Sequence, residues 1–172
     1  MATTVRISDR LERILHIAEN NAVMEDALNE VASEFRAMMM KRFKAYSRGG
    51  GDWKPLSKAA IARRRKGKGK GNDAILIDTG GLIQAVGVMT SVGAENKIDG
   101  THVTIGFSDR AHEGGGDTYN QIASLHQNGG WTEIDGKRVF VPQRKILVEP
   151  DAGQTKKLER IATKVIQEYI NK

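Results

Sequence analysis

A chain of 172 residues is long enough for one domain with a real hydrophobic core and too short for a second full domain; its lack of cysteine excludes a disulfide framework, thiolate metal sites and a cysteine nucleophile. The formal net charge is +6, from 27 basic and 21 acidic residues. Residues 63–70, Arg-Arg-Arg-Lys-Gly-Lys-Gly-Lys, hold 6 of the basic residues and no acidic one, which leaves 21 basic against 21 acidic elsewhere: a balanced body with one basic loop.

In chain order, Ser8 can cap a short helix over about 9–18, with Leu11, Ile14, Leu15 and Ala18 at helical spacing. A longer helix comes next, over about 22–46. Its stripe is Val23, Ala27, Leu28, Val31, Phe35, Met38 and Met39, and Arg36 falls off it. Met38 and Met39 read as core, while Met40 points elsewhere and is free to meet a neighbour. Gly49-Gly50-Gly51 reads as a flexible hinge. Pro55 makes Lys54 extended, and Ser57 can cap a short helix over 58–65 that runs into the basic loop. Thr79-Gly80-Gly81 is a turn in which Thr79 caps the next segment and the glycines supply positive φ or close approach. Leu82, Ile83 and Val86 start a short helix or a strand. From Val86 the period becomes two, through Val88, Thr90 and Val92 and again over residues 102–107, with Asp99-Gly100 as a turn signal. This predicts a hairpin or meander over about 86–107. A short helix over 118–128 ends at Asn128-Gly129-Gly130. A second hairpin turns at Asp135-Gly136, and an amphipathic helix over about 151–171 closes the chain. The pattern is a single α+β domain over 1–172. An antiparallel sheet is packed by a long N-terminal and a C-terminal helix, and an extended basic arm spans about 47–78.

Chemistry-bearing motifs are sparse. The four histidines show no metal-ligand spacing, and His126 reads as a hydrogen-bonded structural residue. Asp78-Thr79-Gly80 matches three residues of the aspartic-protease motif, but a single copy beside two long helices reads as a structural turn. The glycine-rich stretches lack the spacing of a phosphate-binding loop, so the sequence offers no cofactor, metal or catalytic site. Arg63, Arg64, Arg65, Lys66, Lys68 and Lys70 form the one charged feature. They suit contact with a partner subunit, contact with DNA phosphates, or simple solvation. Beside them, Trp53 and Leu56 read as interface residues, and Trp131 as core. No apolar run approaches a membrane span, and the first residues do not read as a secretory signal, so the expected location before any assembly is the cytoplasm.

Three segments together resemble a known family. They are Trp53-Lys-Pro-Leu-Ser57 with the later Ile77-Asp-Thr-Gly-Gly-Leu82, then Tyr119 to Gly129 with Leu-His126-Gln-Asn-Gly, then Val141-Pro142-Gln-Arg144. Their order and spacing resemble the virion morphogenesis and tail completion proteins of tailed bacteriophages. Pro55, Ser57, Thr79, Gly80, His126, Gly129, Pro142 and Arg144 carry the motif. The resemblance implies a structural protein of the virion, not an enzyme. It would form a ring of six subunits, or of twelve, at the head–tail junction or the top of the tail. Its partners would be neck, portal-adaptor or tail tube and sheath proteins, with the genomic DNA in the channel. A nucleic-acid-binding protein that uses the basic loop directly is the alternative reading.

Overall fold

The computed structural model describes residues 3–5, 21–64, 73–112, 116–134 and 136–171. The helix expected over 9–18 and most of the basic loop, with Arg65, Lys66, Lys68 and Lys70, lie outside the described residues.

The described elements are β1 (Thr3–Val5), α1 (Asn21–Ser47), α2 (Lys58–Arg63), α3 (Gly81–Gly87), β2 (Ala94–Asp99), β3 (His102–Phe107), α4 (Tyr119–Asn128), β4 (Gly130–Ile134), β5 (Lys137–Val141) and α5 (Ala152–Ile170). The class is α+β. One antiparallel sheet has the order β1-β3-β2, and β4 and β5 pair as a separate hairpin. The strand β1 carries no signal of its own at three residues; it is defined by pairing Thr3 to Val5 with Ile105 to Val103.

Helix α1 is the centre of the domain. Val23, Ala27, Leu28, Val31, Phe35 and Met39 are buried as the stripe predicts, and Met24, Ala32 and Phe43 join them. One side of the helix meets α3, β2 and β3, and another receives α5. From the sheet, Val103, Ile105 and Phe107 alternate into the core; from α5, Leu158, Ala162 and Ile166 do so at helical spacing. Helices α4 and α5 each start with a capping box, Thr118 with Gln121 and Asp151 with Gln154, which satisfies otherwise orphan backbone N–H groups.

Two local expectations give way. The glycine run after α1 is a helix stop rather than a hinge. Gly49 takes φ +86°, its N–H donates to Tyr46 O at 3.1 Å, and the Gly50 N–H donates to Ala45 O at 3.0 Å. These two bonds satisfy the last carbonyls of the helix in a Schellman motif. The alternation from Val86 to Val92 is not a strand either. Leu82, Ala85 and Val86 bury one face of helix α3, while Val88 and Val92 are exposed, and the hairpin begins at Ala94. A short apolar run fits both periods, and the Gly80 turn at φ +90° decides for the helix. Met40, expected to face outward, lies half-buried over Gly87 of α3.

Candidate interaction site

The segments that carry the family resemblance converge at the C-terminal end of α1. Trp53 stands edge-on to Phe43 and Tyr46, with ring centroids 5.2 and 5.6 Å apart. It is only 4% exposed, so it anchors the chain after the helix stop to its own core and is not the surface residue the sequence suggested. The guanidinium of Arg144, also buried, donates from Nε and Nη2 to Lys54 O at 3.1 and 3.0 Å. The backbone N–H of Arg144 donates to His126 O at 2.6 Å. Thus the Trp-x-Pro segment, the His-Gln segment and the Pro-x-Arg segment are tied to one another.

Gln127 completes the tie. Its Oε1 accepts from the N–H groups of Ile146 (2.7 Å) and Leu147 (3.1 Å), and its Nε2 donates to Leu147 O at 2.7 Å. An amide offers donor and acceptor on one planar group, which is why a glutamine can pair with an extended backbone in this way. Gly129, at φ +69°, allows the close pass of this strand: a Cβ there would lie 2.8 Å from Gln143 N. The imidazole of His126 faces Arg144 and Arg64. Burial first, then the two guanidiniums, push its pKa down to about 4, so it is neutral at pH 7. Its Nδ1 has no hydrogen-bond partner among the described residues.

The described ends of the proposed arm are fastened down rather than extended. Arg64 donates from Nη1 to Ala74 O (2.8 Å) and Ile77 O (3.3 Å), and its Nε lies 3.9 Å from Asp78 Oδ1. Ile75 and Leu76 are buried, and the Ile75 N–H donates to Ser47 O. Leu76 holds this position at φ +60°, a strained conformation that is rare for a bulky side chain. Ser57 caps α2 as expected by accepting from Ala60 N at 3.1 Å. Pro55 and Arg63 are exposed, while Leu56 and Pro142 are half-buried. At the Asp-Thr-Gly turn, Thr79 Oγ1 accepts from the Gly81 N–H and lies 3.3 Å from His112 Nε2. Gly81 passes so close to Tyr119 and His112 that a Cβ would meet both within 3.0 Å. Trp53, Ser57, Thr79, Gly129 and Arg144 therefore each have a structural task, and together these segments act as a fold clamp.

The exposed feature is elsewhere. In the β4–β5 hairpin Trp131 pairs across the strands with Phe140, ring centroids 5.3 Å apart, and Arg138 lies 5.0 Å over the indole. Trp131 is 60% exposed and Phe140 53%. The sequence placed Trp131 in the core; the register puts it on the face opposite Val141, the one buried residue of the hairpin. Phe140 was missed, although its position across the Asp-Gly turn from Trp131 is legible in the spacing. No group of metal-binding side chains occurs among the described residues, and none of the described helices is long and apolar enough to cross a membrane.

These features define a small structural domain whose motif residues hold extended segments together and whose aromatic surface is unpartnered. The sequence model of the phage virion morphogenesis family matches residues 3–171, and the chain belongs to that family. Its role is accordingly structural, in the assembly of a phage virion. No curated protein and no solved structure matches it.

Proposed function

We propose that the protein forms a ring of six copies, or twelve, at the head–tail junction, as a neck connector, tail completion or tail terminator protein that joins head and tail around the DNA channel. The observation that carries this reading is the β4–β5 hairpin. An exposed Trp-Phe pair with a guanidinium over it is a large apolar anchor of the kind that dominates protein interfaces, on a subunit of a family devoted to virion assembly. The hairpin is assigned to the contact with the next protein of the neck or tail.

The test is complementation of a phage that lacks this subunit with a Trp131→Ala, Phe140→Ala variant. Both side chains are exposed, so the stability read from urea unfolding should hold within about 0.5 kcal/mol. Heads and tails should accumulate unjoined, while sedimentation of the purified wild type should give the mass of a ring. Normal infectious particles from the variant would remove the hairpin from the junction. A subunit that binds duplex DNA in a steeply salt-dependent way and does not self-associate would favour the nucleic-acid alternative.

A further inference from the structure

The β4–β5 hairpin is two strands wide, and two strands alone are at best marginally stable in water. Its hold on the domain is slight. Val141 is buried, whereas Lys137, Arg138, Val139 and Phe140, which alternate between the two faces of β5, are all exposed. The register shows which backbone groups its outer edges present. Ile134 pairs with Lys137 across residues 135 and 136, and the pair that closes a two-residue turn exchanges backbone hydrogen bonds. Alternation then assigns such bonds to Thr132–Val139 and Gly130–Val141. In agreement, Val141 O lies on the β4 side, 3.2 Å from where a Cβ at Gly129 would stand. The pairs between them, Glu133–Arg138 and Trp131–Phe140, turn their N–H and C=O groups outward. Among the described residues no other backbone group bonds these four.

The two edges differ in charge. Strand β4 carries Glu133 and β5 carries Lys137 and Arg138, with Glu133 and Arg138 on the face of the aromatic pair. Arg138 lies over the indole, and Glu133 has no ion pair among the described residues. A second copy laid antiparallel, with its β4 edge along β5, can repeat the register of the hairpin itself. Arg138 then stands opposite the next copy's Glu133, and Phe140 opposite its Trp131. Opposite charges and aromatic pairs directly across strands stabilise a sheet. Like edges would instead gather guanidiniums or carboxylates, which destabilises it.

We propose that the β5 edge of one copy pairs antiparallel with the β4 edge of the next, so that the hairpins of a ring of twelve join into one closed sheet. The inference rests on the ring reading and assigns the contact that closes it. It uses the edges of the hairpin and leaves the Trp131–Phe140 face to the next protein of the neck or tail. Unlike edges make the contact head-to-tail, and closure removes every free edge. The strand count selects the copy number. Barrels of about 16 strands leave a water-filled channel; six hairpins would give only about 12 strands, and twelve give about 24. An axis open to DNA therefore requires the larger ring.

The absence of cysteine makes the test direct. Glu133→Cys and Arg138→Cys are produced singly and together in one cell, and the assembled protein is treated with a short bismaleimide. A cross-linked dimer should form when both are present and be absent from either variant alone. Glu133→Arg should leave a monomer in sedimentation without moving the urea midpoint, because Glu133 is exposed. Adding Arg138→Glu to the same chain should restore the mass of twelve copies. A ring that persists in Glu133→Arg, or a mixture without the cross-link, overturns the edge pairing while leaving the ring reading intact. A dimer cross-linked from one variant alone shows like edges meeting and overturns it too. A wild-type ring of six copies overturns the closed sheet. Wild-type protein that is monomeric at every concentration overturns both readings.

Discussion

Arg36 gives its whole guanidinium to neutral acceptors. Nε donates to Asn96 Oδ1 (2.8 Å), Nη1 to Ala85 O (2.6 Å) and Val86 O (3.1 Å), and Nη2 to Glu95 O (2.9 Å) and Gly106 O (3.2 Å). Five donors meet five acceptors, and two of these are last-turn carbonyls of α3, where the helix dipole favours a cation. Burial lowers the pKa to about 10, so the group stays charged at pH 7. Arg36→Ala should cost about 3–5 kcal/mol, because it strands buried carbonyls, and Arg36→Lys should recover only part of this with a smaller donor set. Urea midpoints decide it; a neutral Arg36→Ala would restore the sequence-based view of a solvent-facing residue. At His126 the linkage runs with pH. The unfolded chain takes up a proton near 6.5 and the folded chain only near 4, so the unfolded state binds more protons between those values. The stability contribution is complete above about 6.5 and falls by up to about 3 kcal/mol as pH drops towards 4. Against His126→Gln, the wild type should lose ground steadily over that window, and parallel pH profiles would show that the imidazole is not buried neutral.

At the scale of elements, α1 explains both the success and the error of periodicity. Its apolar positions serve two partners, the sheet with α3 and the C-terminal helix, so the buried arc is wider than one stripe. Leu28 and Phe35 are fully buried, and replacing either by Ala should cost about 2–5 kcal/mol in urea unfolding; equal midpoints for wild type and variants would refute the packing. Arg36 lies four residues after Ala32 and seven before Phe43, both fully buried, so its spacing already marked an inward position. Charge alone placed it outside, because a buried cation is admissible only when its donors are met, and those acceptors come from β2, β3 and α3. The same logic governs the glycine run after Ser47. Three glycines suit a hinge or a cap, and the carbonyls waiting at the end of α1 select the cap.

In the whole molecule, two exposed features lie on different elements: carboxylates between α1 and α5, and the aromatic pair on the hairpin. A subunit with distinct surfaces in distinct places is suited to head-to-tail assembly. The sequence by itself determined the elements with strong local signals. The 3.6-residue stripes of α1 and α5, the glycine stop of α4, the Asp-Gly turn signals and the α+β class all arise from side-chain spacing and turn chemistry. It also determined the family, through motifs whose order is a linear property. Only the tertiary structure decided which tryptophan is buried. Trp53 finds Phe43 and Tyr46 in space, whereas Trp131, among the described residues, meets Phe140 and Arg138 on the exposed face of a hairpin. Burial is a property of what arrives opposite a residue, and the partners of Arg36, Arg144 and Gln127 arrive from distant parts of the chain that local sequence cannot align.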